Sequence, residues 1–174
     1  MSLDKARQIK LFLFDVDGVL TDGSVTYIRG DVEAKSFNIK DGLGIKLLQD
    51  AGIQVGIITG RVSPMVERRA KELGIEQVVQ GREDKGAALE EVAKQNNLDA
   101  DHIAYMGDDL PDVRAMQKAG VAMAPADAHT DVLSVADWKA TKNGGAGAVR
   151  EACDFILMAM GAYAKVTERF WEQE

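Results

Sequence analysis

Asp15 and Asp17 close the stretch LFLFDVDG, with a single valine between them. Four apolar residues running straight into two carboxylates are a costly end for a buried strand, unless the acids serve at its mouth. Three more apolar runs are followed by residues that could do chemistry. GIITGR brings Thr59, Gly60 and Arg61, QGREDKG brings Lys85, and YMGDDLPD brings Asp108, Asp109 and Asp112. Carboxylates, a hydroxyl and an ammonium gathered from separate loops suit phosphoryl transfer. Acidic loops can hold Mg2+ through oxygen ligands, with waters completing the octahedron. Once the metal has neutralised local charge, a carboxylate can attack phosphorus and form an aspartyl-phosphate. Thr59, the backbone N–H groups around Gly60 and Lys85 would hold the phosphoryl oxygens as charge spreads over them. Asp17, on the same loop as Asp15, can protonate an alkoxide leaving group and then take a proton from the hydrolytic water.

Such a set must be positioned by a sheet. The pattern predicts strands at Lys10–Phe14, Gln54–Ile58, Gln77–Val79, Ile103–Met106 and Val121–Ala124, separated by helices at Gly42–Ala51, Pro64–Leu73, Lys85–Gln95 and Asp109–Ala119. A last helix runs from about Ala146 to Met160. Strands that are apolar without alternation, each followed by a helix, predict an α/β fold: a parallel sheet with helices on both faces. Ser63-Pro64 is a helix start, and Leu73-Gly74 and Ala119-Gly120 are helix ends with glycine in the left-handed cap. One segment breaks the alternation. Val25–Ile28 and Glu33–Phe37 alternate in polarity around Arg29-Gly30-Asp31, which predicts a β-hairpin insertion over about residues 24–38. In an open parallel sheet, ligands bind outside the carboxyl ends of the strands, where every acid above falls.

Composition narrows the partners. The 174 residues suit a single domain, 1–174, that buries a core without disulfides. A net charge of −7 with no basic block argues against nucleic acid and anionic membrane surfaces. No apolar run is long enough to span a bilayer, and MSLDKARQIK lacks the pattern of a signal peptide. The single cysteine, Cys153, lies in a helical apolar pattern and fits a core position in a reducing cytoplasm.

DVDGVLTDG, IITGR, Lys85 and GDDLPD together resemble the four motifs of the haloacid dehalogenase (HAD) superfamily, in order across Phe14–Asp112. The resemblance implies a Rossmann-like HAD fold and a Mg2+-dependent phosphatase. It makes Asp15 the nucleophile and Asp17 the general acid/base, with Thr59 and Lys85 on the phosphoryl group. Asp15, the backbone carbonyl of Asp17 and Asp108 become metal ligands, with Asp109 and Asp112 supporting them from outside. About 26 residues separate Asp15 from Asp41 and 25 lie between Thr59 and Lys85, so neither insertion point holds a cap domain. SFNIKDG, GIKLL, QGREDKG and GGAGAVREACDFILMAMG extend the likeness to the capless branch that resembles the 3-deoxy-D-manno-octulosonate 8-phosphate (KDO 8-phosphate) phosphatases. That branch implies a cytoplasmic enzyme of lipopolysaccharide precursor synthesis. It also implies a homotetramer in which hairpins pack together and a neighbouring subunit completes each site. Its substrate contacts map to Asp17, Asn38, Ile39, Lys40, Asp41, Gly42, Lys46, Gly60, Arg61, Arg69 and Lys85.

Lys46 and Ala146 stand where relatives of this branch carry arginine. That keeps open a nine-carbon, sialic-type keto acid 9-phosphate as the substrate. Plainer readings stand beside these. Asp41 and Asp112 suit helix starts as well as a site, and Lys46 suits a solvated helix face. His102 and His129, without companion ligands, fit surface histidines. Tyr163, Phe170 and Trp171 in the tail leave two readings, fraying in solvent or docking on a neighbour, and the second is preferred because large aromatics are costly to expose. A receiver domain that merely accepts phosphate also carries acids, a threonine and a lysine, but its nucleophile follows the third strand rather than the first.

Overall fold

A computed structural model describes residues 3–29 and 32–171 of the chain. After a short helix α1 (Leu3–Arg7) come β1 (Leu11–Phe14), then β2 (Thr26–Ile28) and β3 (Val32–Ala34), then α2 (Ile39–Asp50) and β4 (Gln54–Ile58). There follow α3 (Pro64–Leu73), β5 (Gln77–Val79), α4 (Lys85–Gln95), β6 (Ile103–Met106), α5 (Val113–Lys118) and β7 (Val121–Ala124). The chain closes with α6 (Thr130–Val135), β8 (Trp138–Lys139), α7 (Ala148–Ala159) and α8 (Tyr163–Thr167). Six strands form one parallel sheet in the order β5-β4-β1-β6-β7-β8. β1 pairs with β4 on one side and β6 on the other, so the chain reverses its direction of winding there. That is the switch point at which an open α/β sheet leaves a crevice for ligand.

The alternation of side chains across β1 builds two cores. Phe12 and Phe14 enter one with Ile45, Leu48, Ile156 and Leu157 from α2 and α7. Leu11 and Leu13 enter the other with Leu89, Val92, Met116 and Val132 from α4, α5 and α6. Each such buried side chain contributes about 1.5–3 kcal/mol. Phe14 therefore fixes the backbone one residue before Asp15.

The five main strands lie where the pattern puts them, within a residue, and α3 and α4 match their expected spans. Gly74 ends α3 in the left-handed conformation, as expected. Other ends differ. α2 begins three residues early, because Asn38 is its cap: Oδ1 accepts from Lys40 N–H at 2.8 Å. α5 begins late, because Leu110–Asp112 forms a 3₁₀ turn closed by a reciprocal Asp109–Asp112 capping box. Gly120 is not a left-handed cap. α5 ends in an extended Ala119, and Gly120 serves close approach instead, since a Cβ there would lie 2.4 Å from the Asp101 carbonyl oxygen. The antiparallel β2–β3 pair is shorter than expected, leaving Lys35–Phe37 outside the ladder, and the expected turn residues Gly30 and Asp31 lie outside the described residues.

Among the described residues, only β2 and β3 stand between β1 and α2, and only α3 and β5 between β4 and α4, so neither position holds a cap. Tyr163 of α8 packs on the α2–α7 core, whereas Phe170 and Trp171 remain exposed. Cys153 is fully buried, as its pattern suggests. No helix among the described residues is long and apolar enough to cross a membrane.

Candidate active site

Asp15 continues the line of β1, its N–H bonded to the Met106 carbonyl at 3.0 Å. The chain then turns tightly, the Val16 carbonyl accepting from the N–H groups of Val19, Leu20 and Thr21. Gly18 makes this turn possible. It holds φ at 84°, and a Cβ would lie 2.0 Å from Asp108 Oδ2, so any side chain would evict a carboxylate from the site. Asp15 Oδ1 accepts from Val16 N–H at 2.7 Å, and Oδ2 accepts from Lys85 Nζ at 2.6 Å.

Lys85 is only 3% exposed and also donates to Asp112 Oδ1 at 2.7 Å. Asp112 is wholly buried and fully committed. Tyr105 Oη donates to Oδ1 at 2.7 Å, while the N–H groups of Asp108 and Asp109 reach Oδ2 at 3.1 and 3.3 Å. Carboxylate oxygens of Asp15, Asp108 and Asp112 lie within 4.8 Å of one another. An all-oxygen set of this kind fits a hard divalent cation. With Asp112 saturated by donors, Asp15 and Asp108 keep oxygens for such an ion, and Asp112 braces them.

Crowding of acids shows in their ionisation. Burial, then the Asp112 charge, raises the Asp15 pKa, with Lys85 opposing. Burial, followed by Asp112 and Asp15, pushes Asp108 up to about 7. Burial acts to lower Lys85, but Asp112 and Asp15 together outweigh it and leave the pKa raised, so the ammonium stays charged.

Thr59 is buried at the end of β4, its N–H bonded to Val79 O at 2.9 Å, and Gly60 and Arg61 follow it into solvent. Asp17 is met from the hairpin side. Lys35 Nζ donates to its Oδ1, and Arg61 Nε lies 3.7 Å from its Oδ2. Both cations also reach Glu33, at 3.2 and 2.7 Å. Thus Asp15, Asp17, Thr59, Lys85, Asp108 and Asp112 all stand at the carboxyl ends of the strands around β1.

Other expected contacts fall elsewhere. Asp109 is not one of the three clustered carboxylates: its Oδ1 accepts from Leu110 N–H at 2.7 Å, while its own N–H reaches Asp112. Asp41 is neither a cap of its own helix nor open to a ligand. It is 1% exposed, and its Oδ1 accepts from Arg150 N–H at 2.8 Å in the first turn of α7. Gly42 is buried beneath the Arg69 guanidinium. Arg69 packs over the Phe37 ring and lines, with Lys46, Ile39, Leu43 and Leu73, a separate groove. Ile39 and Lys40 are exposed, and Asn38 Nδ2 reaches the Gly145 carbonyl at 3.3 Å. Within one chain, then, Arg61 stands at the carboxylates while Lys46 and Arg69 do not. His129 caps α6, its Nδ1 accepting from Asp131 N–H at 3.2 Å.

Lys35, Glu33 and Tyr105 are absent from the sequence-based set. A lysine in a hairpin leg looks like any solvated lysine, and only Tyr105, a polar-tipped ring inside IAYM, offered a signal.

Residues 39–120 match the family profile of haloacid dehalogenase-like hydrolases. Over 157 residues the chain is 42% identical to the 3-deoxy-D-manno-octulosonate 8-phosphate phosphatase KdsC of Escherichia coli K12, covering 90% of this chain and 84% of that one. A solved structure of the Moraxella catarrhalis 3-deoxy-D-manno-octulosonate 8-phosphate phosphatase with magnesium ion, phosphate ion and KDO superposes with a TM-score of 0.95 at 45% identity, over 97% of each chain. The cobalt-bound form of the Haemophilus influenzae phosphatase superposes with a TM-score of 0.91 at 40% identity, over 97% of this chain and 99% of that one.

Proposed function

The chain belongs to the haloacid dehalogenase-like hydrolases and, within them, to the 3-deoxy-D-manno-octulosonate 8-phosphate phosphatase family, and from that premise we propose that it hydrolyses KDO 8-phosphate to KDO and inorganic phosphate. The observation that carries this reading is the buried set of Asp15, Lys85 and Asp112, with the half-buried Asp108 beside it, at the switch point of the sheet.

Asp15, Asp108 and the backbone carbonyl of Asp17 would hold Mg2+, with Asp112 bracing Asp108 through its N–H. When bound, Mg2+ neutralises the carboxylates and draws charge from the phosphoryl oxygens. Asp15 attacks phosphorus through one carboxylate oxygen, and the bond from phosphorus to the sugar oxygen breaks. Asp17 gives its proton to the departing alkoxide. Lys85 and Thr59 hold the phosphoryl oxygens during this transfer. In the second half, Asp17 takes a proton from water, whose oxygen attacks phosphorus. The bond from phosphorus to Asp15 breaks, phosphate leaves, and both aspartates return to their starting states. The proposal extends to a homotetramer. Tyr27 is 76% and Ile28 53% exposed on β2, and Lys46 and Arg69 lie away from the carboxylates of their own chain, which suits service at a neighbour's site. A cytoplasmic role in lipopolysaccharide precursor synthesis follows from that substrate.

Borohydride trapping during turnover tests the intermediate. It should convert Asp15 to homoserine in a peptide map, and Asp15→Asn should lose at least about 10³-fold in kcat. Unmodified Asp15 in actively turning-over enzyme would rule the mechanism out.

A further inference from the structure

The chemistry just described makes no use of the charges at the foot of the hairpin. Lys35 follows β3 directly, and its side chain is only 1% exposed. A buried ammonium is retained only where partners compensate its lost hydration. Here Nζ lies between Asp17 Oδ1 and Glu33 Oε1. Glu33 Oε2 accepts from Arg61 Nη2 at 2.7 Å, and Arg61 Nε lies 3.7 Å from Asp17 Oδ2. Each Asp17 oxygen therefore faces one cation, and Glu33 backs both. Four side chains from the β1 loop, the hairpin and the β4 loop close a ring. A carboxylate tied at both oxygens keeps one orientation, whereas an untied aspartate beside a glycine turns freely. Of the two ties, Arg61 is 47% exposed at its side chain, and solvent-exposed ion pairs hold weakly. The dry tie is Lys35.

We infer that Lys35 is the positioning residue for Asp17: held by Glu33, it fixes the carboxylate that takes a proton from the hydrolytic water and links the hairpin to the catalytic loop. This rests on the reading of Asp17 as acid/base, so the test separates the two. Turnover of p-nitrophenyl phosphate would be compared in Lys35→Met, Lys35→Ala and Asp17→Asn. Nitrophenolate departs without needing a proton, which spares the first half-reaction, while hydrolysis of the aspartyl-phosphate still needs a placed base. Lys35→Met should release a burst of nitrophenol equal to the sites, followed by a steady state slower by about tenfold or more, with KM falling in step so that kcat/KM stays within about twofold. Lys35→Ala should behave alike and regain rate on addition of ethylammonium, which can fill the emptied site. If both Lys35 variants turn over like wild type while Asp17→Asn is slow, the positioning role is wrong and the phosphatase reading stands. If Asp17→Asn is as fast as wild type, the acid/base reading fails and takes the positioning role with it. Should Lys35→Met lose stability, amine rescue of Lys35→Ala decides: recovery supports the role, and its absence overturns it.

Discussion

Asp108 is the residue at which charge, metal and stability meet. Burial and its acidic neighbours raise its pKa to about 7, well above the ordinary aspartate value, so without metal it carries a proton at mildly acidic pH. Between about pH 4 and 7 the folded chain keeps a proton that the unfolded chain loses, so this group's contribution to stability falls as pH rises through that window. A divalent cation must displace that proton, and its affinity should rise about tenfold from pH 6 to pH 8. That gain corresponds to about 1.4 kcal/mol, or about 3 °C in Tm at this chain length. The Mg2+-induced shift in Tm should therefore be larger at pH 8 than at pH 6, and an equal shift at both would contradict the account. Asp112 makes a second prediction. Removing it orphans Tyr105 Oη and two N–H groups and leaves Lys85 with one partner, so Asp112→Ala should cost about 3–5 kcal/mol in urea unfolding with or without metal. At this scale the sequence was legible where an acid followed an apolar run, as with Asp15, Asp17 and Asp108. It was not legible where the partner comes from far along the chain. Nothing local to Lys35 marks it as Asp17's neighbour, and nothing local to Asp41 marks it as a cap for α7, 109 positions away.

The elements were legible in proportion to their apolar length. β6 and β7 are short apolar runs bounded by turn residues, and they lie where that pattern puts them. α1, α6, β8 and α8 span two to six residues, too few to show a period, and were not foreseen. The start of α2 was misplaced because its cap, Asn38, falls at the end of the segment assigned to the hairpin. Asn38 caps α2 while its Nδ2 reaches the Gly145 carbonyl, joining the end of the hairpin to the segment before α7. Asn38→Ala should cost about 1 kcal/mol in stability, read as a lower urea midpoint with an unchanged slope. A larger loss with a changed slope would mean that the segment before α7 detaches as well. The β1 loop depends on its tightest residue. Gly18→Ala should leave secondary structure in place and abolish the Mg2+-dependent rise in Tm, because the new methyl occupies the position of the Asp108 carboxylate. A normal metal response in that variant would show that the loop has more room than the geometry allows.

For the whole molecule, a net charge of −7 sits beside a small set of cations arranged for one task. Lys85 and Arg61 stand at the carboxylates, whereas Lys46 and Arg69 line a groove of their own. No cap domain among the described residues covers the site, so cover and the remaining cations must come from another copy if the proposed tetramer holds. Light scattering should then give a mass near four times 18.8 kDa, and an active monomer would end that part of the proposal. Sequence patterns hold little information about assembly, because an exposed Tyr27 or Ile28 looks like any strand residue until its neighbours are known. The central claim is the substrate, and kcat/KM with Mg2+ for KDO 8-phosphate, a nine-carbon keto acid 9-phosphate and p-nitrophenyl phosphate tests it most directly. The account predicts a preference of about 10³-fold or more for KDO 8-phosphate, from binding energy that only the intact sugar acid can supply. Comparable weak rates on all three, or a preference for the nine-carbon ester, would contradict it.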